Sequence, residues 1–217
     1  METQIIRVDP DNFRVEEIRE GSIVLARGGL VAFPTETVYG LGANALEPEA
    51  VMKIFEAKGR PSDNPLIVHI ARREDVNELV RDLPQEAEVL MERFWPGPLT
   101  IILPKKESVP DVVSGGLDTV GIRMPDHSVA LTLIAEAGVP VAAPSANISG
   151  RPSPTNGEHV IRDMMGKADV IIHSGSTGIG VESTVLDLTS SPPLILRPGG
   201  VTLEALRDVL GDINKRR

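Results

Sequence analysis

Glu49-Ala50-Val51-Met52-Lys53-Ile54-Phe55-Glu56-Ala57, then Lys58-Gly59-Arg60-Pro61-Ser62-Asp63-Asn64-Pro65, then Leu66-Ile67-Val68-His69-Ile70: the succession of these three segments decides the fold. Val51, Ile54 and Phe55 fall on one face at helical spacing, so the first segment predicts an amphipathic helix. The last is a short apolar run behind a proline, the pattern of a buried strand. A polar, proline-held turn joins them. Helix, turn and strand in direct succession is the unit from which α/β proteins are built.

The alternation continues in both directions. Strand-length apolar runs lie at Gln4 to Val8, Leu30 to Phe33, Leu99 to Leu103, Thr119 to Met124, Val139 to Ala143, Val170 to His173, Thr184 to Leu188 and Leu194 to Leu196. Helical patterns lie at Phe13 to Arg27, Gln85 to Phe94, Ser128 to Ala137 and Leu203 to Leu210. Between Val170 and Leu196 the strands follow one another with no room for a helix, which requires antiparallel pairing there and so a twisted mixed parallel/antiparallel sheet. Lys105 to Gly116 and Ser174 to Glu182 read as exposed loops, and the second, rich in glycine, has the composition of an anion cradle or of a plain flexible turn. No long linker or internal repeat divides the 217 residues, so residues 1–217 are expected to form one domain.

Composition narrows the function classes. The core must be aliphatic, because Phe13, Phe33, Tyr39, Phe55, Phe94 and Trp95 are the whole aromatic supply, too few for a stacking platform along single-stranded nucleic acid. A formal charge of -9 is opposite in sign to a nonspecific nucleic-acid binder, so any basic surface is local. The absence of cysteine excludes disulfides, thiolate catalysis and cysteine-held zinc. No apolar run approaches a membrane span, and the N-terminus lacks a signal pattern; a soluble cytoplasmic protein is expected.

Lys58 and Arg60, one residue apart and followed by Ser62 and Asn64, can present a point charge and a forked donor to one polyanion. Pro144-Ser145-Ala146-Asn147-Ile148-Ser149-Gly150 follows another strand-like run and offers neutral donors suited to phosphate or ribose oxygens, although Ser145 or Asn147 could equally cap a helix. Polar loops at the ends of buried strands are where α/β proteins place ligands. A nucleotide site is therefore expected without a known fingerprint, since G-x-x-x-x-G-K-[ST] and G-x-G-x-x-G are both missing. Ser145 lacks a nucleophile elbow, and His69, His127, His159 and His173 show no metal-ligand spacing, so no dedicated metal site is expected.

Four further segments complete a pattern: Pro34-Thr35-Glu36-Thr37-Val38-Tyr39-Gly40-Leu41-Gly42, Trp95-Pro96-Gly97-Pro98-Leu99-Thr100, Val120-Gly121-Ile122-Arg123-Met124-Pro125 and Ser183-Thr184-Val185-Leu186-Asp187. With Lys58-x-Arg60 and Ser145-x-Asn147 in the same order, the chain resembles the YrdC-like threonylcarbamoyl-AMP synthase family from about Phe13 to Arg197-Pro198-Gly199. The resemblance implies an α/β fold with a concave central cleft, and a nucleotidyltransferase making threonylcarbamoyl-AMP and pyrophosphate from L-threonine, bicarbonate and ATP. The product would pass to a tRNA threonylcarbamoyltransferase that modifies the adenosine beside the anticodon. Magnesium would come bound to the ATP phosphates, and a weak contact with tRNA is compatible with the role.

Carried onto this sequence, the resemblance places Lys58, Arg60, Ser62, Asn64, Ser145, Asn147 and Arg197 around ATP, with Lys58 and Arg60 stabilising charge on the departing pyrophosphate. It places Thr35, His69, Arg123 and Ser183 in the threonine pocket. Arg123 would clamp the amino-acid carboxylate and Thr35 would meet its hydroxyl, while Glu36 reads as a capping carboxylate rather than a general base. The resemblance is to the short, single-domain form of the family, so closure of the cleft would be expected from its own loops, from a partner, or not at all, and Lys215-Arg216-Arg217 reads as a frayed tail. Two other readings remain at the level of sequence. One is a noncatalytic RNA-binding module gripping phosphates with Lys58, Arg60, Arg123, Arg151 and Arg197; the other is a carbamoyl-transfer domain of the hydrogenase-maturation type.

Overall fold

The computed structural model describes residues 2–215; Met1 and the Arg216–Arg217 end of the basic tail lie outside the described residues. In chain order come β1 (Gln4–Arg7), α1 (Val15–Ala26), β2 (Val31–Phe33), β3 (Gly40–Asn44), α2 (Pro48–Lys58), β4 (Ile67–His69), a 3-10 turn (Arg73–Glu78), α3 (Gln85–Phe94) and β5 (Leu99–Pro104). The second half holds α4 (Asp111–Ser114), β6 (Thr119–Arg123), α5 (Ser128–Ala137), β7 (Val141–Ala142), α6 (Gly157–Met164), β8 (Val170–His173), β9 (Thr184–Asp187), β10 (Leu194–Arg197), α7 (Leu203–Leu210) and β11 (Asn214–Lys215).

The strands form one mixed sheet in the order β1-β8-β2-β3-β7-β4-β6-β5-β9-β10-β11. Parallel ladders join β1 to β8, β8 to β2, β4 to β6, β5 to β9 and β10 to β11, and the remaining pairs are antiparallel. The expected antiparallel pairing near the C-terminus occurs between β9 and β10. β8, however, lies far across the sheet between β1 and β2, and the Ser174 to Ser183 loop spans the distance between it and β9. The loop expected over Lys105 to Gly116 contains the single turn of α4.

Strand alternation sorts the core into two layers. In β2, Val31 and Phe33 face the α1/α5 side while Ala32 faces the other; in β8, Val170 and Ile172 face α1/α5 and Ile171 faces away. On the first side Ile18 and Leu25 of α1 pack with Val129, Leu133 and Ile134 of α5. The second, larger layer carries α2, α3, α6 and α7. α2 ends at Gly59, whose φ of 62° is the left-handed turn that stops a helix and sends the chain into the polar loop.

Candidate functional site

The Lys58–Pro65 turn is held from below by its own lysine. Lys58 is only 2% exposed, and its Nζ donates to the Ser145 carbonyl, to the Asn147 carbonyl at 2.6 Å and to Asn147 Oδ1 at 3.5 Å. Burial pulls its pKa down to about 8, with the Arg60 charge adding to the effect and Glu182 and Asp163 opposing it. Three oxygen acceptors hold it as an ammonium near neutrality. The Ser145 loop is fixed again on its far side, where Asn147 Nδ2 donates to the Arg151 carbonyl at 2.7 Å and Arg151 pairs with Asp163 of α6 at 2.5 Å. No helix begins there. The first helix downstream is α6, capped by Asn156, so the capping alternative for Ser145 and Asn147 does not apply.

A cavity of about 100 Å3 opens beside this staple, lined by Thr35, Thr37, Val38, Arg60, His69, Arg123, Ser145, Glu182, Ser183 and Arg197 among others. His69 and Arg123 sit opposite each other at the carboxyl ends of the parallel strands β4 and β6, where open α/β sheets expose their ligand crevices. β2 delivers Thr35, the turn after β7 delivers Ser145, and Ser183 and Arg197 come from the start of β9 and the end of β10. A cavity of about 100 Å3 admits a small molecule, since about 10–15 Å3 on the same measure holds one water. A nucleotide would have to lie across its mouth. A larger groove of about 420 Å3 elsewhere, between Leu46, Ile134 and Arg72, lacks a convergence of cations.

Seven of the residues expected from the sequence line this cavity: Thr35, Arg60, His69, Arg123, Ser145, Ser183 and Arg197. Four do not. Lys58 and Asn147 lie beneath the lining, and Ser62 and Asn64 stand exposed in the turn. Sequence reading passed over Thr37, Val38 and Glu182; the -T-E-T-V- and -V-E-S-T- runs were the available signal.

The charges are mostly matched in pairs. Arg123 Nη2 lies 2.6 Å from Glu36 Oε2, both side chains about nine-tenths buried, and Arg123 Nε donates to the Gly97 carbonyl at 3.3 Å. Glu36 is thus a counter-ion, correcting its reading as a cap. Arg197 pairs with Glu182 and donates to the Ser183 carbonyl from Nε and Nη2, at 3.1 and 3.0 Å. Arg60 differs: it has no carboxylate within 4.0 Å among the described residues, its buried Nε has no partner, and only Nη2 reaches backbone carbonyls. Burial and the neighbouring Arg197 pull it below the usual guanidinium value while Glu182 opposes them.

The neutral groups complete the floor. Burial, reinforced by Arg123, pushes His69 down to about 3, so it is an uncharged imidazole whose Nδ1 has no partner. Thr35 Oγ1 is engaged in its own turn, donating to the Val38 carbonyl at 2.6 Å and meeting Thr37 Oγ1 at 3.0 Å. Ser183 Oγ lies 2.8 Å from Thr100 Oγ1 and accepts from Arg197 Nη2. Together these groups give a neutral polar floor beneath three guanidinium groups, an arrangement suited to anions with hydroxyl or amine substituents. Among the described residues no cluster of three His, Asp or Glu could hold a metal ion, and no helix is long and apolar enough to cross a membrane.

Comparison with known proteins follows the same outline. The Sua5/YciO/YrdC family model, described as telomere recombination, matches residues 23–199. A threonylcarbamoyl-AMP synthase of Pyrococcus abyssi is 60% identical over 92% of the chain, and one of Bacillus subtilis 56% identical over 91%. The chain spans 59% and 58% of the length of those relatives. The structure of Pyrococcus abyssi Sua5 complexed with L-threonine superposes with a TM-score of 0.95 at 56% identity, over 100% of this chain and 63% of that one.

Proposed function

Given that the chain belongs to the Sua5/YciO/YrdC family, we propose that it makes threonylcarbamoyl-AMP and pyrophosphate from L-threonine, bicarbonate and ATP, with residues 1–217 acting as one catalytic unit. The observation that carries this reading is the convergence of Arg60, Arg123 and Arg197 on one small cavity with a neutral, hydroxyl-bearing floor. The cavity has the size for an amino acid, and its cationic mouth the charge for a triphosphate.

In this reading Arg123, fixed by Glu36 and the Gly97 carbonyl, takes the threonine carboxylate, and Ser183 and His69 face the rest of the amino acid. Thr35 acts through its turn, which presents Thr37, rather than by a free hydroxyl. Arg60 and Arg197 gather the phosphates and stabilise charge as pyrophosphate leaves. Ser145 donates from the loop that Lys58 and Asn147 hold in place, and Ser62 and Asn64 approach the nucleotide from the exposed turn. Positioning dominates such chemistry: bicarbonate is a poor electrophile, and an amine, a carboxyl and a triphosphate must be held together before a mixed anhydride with AMP can form. Magnesium enters on the ATP phosphates. The product would be handed to a tRNA threonylcarbamoyltransferase in the cytoplasm, with at most a weak direct contact with tRNA.

The RNA-module alternative loses its physical basis in the charge pairing. Of its five cations, Arg123, Arg151 and Arg197 each face a carboxylate and Lys58 is buried, leaving Arg60 alone to meet a backbone. Pyrophosphate release from ATP that requires both threonine and bicarbonate tests the proposal. Salt-sensitive tRNA binding without such turnover would contradict it.

A further inference from the structure

Among the described residues, Glu182 is the one carboxylate lining the cavity that Arg60 and Arg197 also line. Its Oε2 accepts from Arg197 Nη1, its Oε1 accepts from Ser153 Oγ at 2.7 Å, and about a third of the side chain is exposed. A carboxylate in a site for a polyanion calls for an explanation. Aiming Arg197 does not supply one, because Arg197 is already fixed by three bonds to Ser183: Nε and Nη2 to the carbonyl at 3.1 and 3.0 Å, and Nη2 to Oγ at 3.0 Å. Glu182 covers only the remaining edge of the fork, the Nη1 side.

Its charge reaches further than this one contact. Burial lowers Lys58, Arg60 and Arg197, and in each case Glu182 is the strongest opposing influence. Its backbone, by contrast, is anchored: the Gly200 amide donates to the Glu182 carbonyl, and upstream the Ile179 and Gly180 amides donate to the carbonyls of Glu36 and Thr37. The loop can therefore stay in place while the half-wet side chain turns.

We infer that Glu182 is an internal counter-ion that occupies the phosphate-facing edge of Arg197 when no phosphate is bound, is displaced by the nucleotide, and returns as pyrophosphate leaves. The inference rests on the reading of the cavity as an ATP site. Such a competitor weakens polyphosphate binding and assists product release, because a phosphate must displace one anion before it can use the arginine. Losing the carboxylate should therefore tighten binding, the opposite of what a positioning or metal-binding carboxylate would do.

Titration calorimetry on the full chain with inorganic pyrophosphate, ATP and L-threonine separates these cases. Glu182→Gln keeps the size and the hydrogen bond to Ser153; it should bind pyrophosphate about threefold to thirtyfold more tightly, with threonine affinity changed less than about twofold. Turnover should become more sensitive to added pyrophosphate. In an Arg197→Met background the gain should shrink, since no guanidinium edge is left to uncover. Unchanged or weaker pyrophosphate binding by folded Glu182→Gln, while the parent binds ATP and threonine, overturns the inference alone. A parent chain that binds neither ATP nor pyrophosphate overturns the ATP reading, and the inference with it.

Discussion

Arg60 is the cleft arginine with no carboxylate within 4.0 Å among the described residues, so the largest loss on truncation should fall there. A charge-assisted hydrogen bond contributes about 1.5–3 kcal/mol, so Arg60→Ala should weaken ATP binding by about tenfold to a hundredfold and leave threonine binding nearly unchanged, as calorimetry can check. His69 carries a different signature. Its native pKa of about 3 lies below the unfolded value near 6.5, so the native state stays neutral while the unfolded chain takes up a proton as pH falls. The stability it supports is present above about pH 6.5 and is lost towards pH 3, at up to about 1.4 kcal/mol per pH unit. Urea unfolding at pH 7 and pH 5 should show that loss, and His69→Gln should flatten it. At this scale the residue types of the site were legible, since strand-end polar residues flanked by proline mark ligand loops. Their partners were not. That Glu36 neutralises Arg123, or that Thr35 is engaged in its own turn, depends on tertiary contacts that spacing does not encode.

Among the elements, the link between α2 and the Ser145 loop carries the most weight. Lys58 ties the end of a helix to two carbonyls nearly ninety positions away, so it stabilises the geometry of the Ser145 loop rather than lining the cavity. Lys58→Met leaves those carbonyls without their donor, at about 1–3 kcal/mol for an unsatisfied buried group. It should lower the urea midpoint and weaken ATP binding together, whereas Arg60→Ala should weaken ATP without lowering stability. α3, with its apolar residues on one face, and α5, a mostly apolar stretch ended by Gly138, were readable to the residue. β3 was missed because it reads Gly-Leu-Gly-Ala-Asn, poor strand composition. Its glycines answer to packing: a side chain at Gly42 would collide with Phe33 and Val141. α6 was missed because it opens with glycine and presents only Val160, Ile161 and Met164 to the core.

Over the whole molecule, the cavity is assembled from Thr35 near one end of the chain to Arg197 near the other, brought together because β2, β4, β6, β7, β9 and β10 share one sheet. The mixed architecture followed from strands crowded into the last third of the sequence, but the placement of β8 between β1 and β2 did not, since strand order depends on which apolar faces pack together. The proposed function requires this one chain to join threonine and bicarbonate in that cavity with ATP lying across its mouth. Mass spectrometry of the reaction with all three substrates tests it most directly. The account predicts threonylcarbamoyl-AMP, dependent on each substrate and reduced by about tenfold or more in Arg123→Ala and Arg60→Ala. No adenylate from the folded chain with all three substrates present, or undiminished yield from both variants, would contradict it.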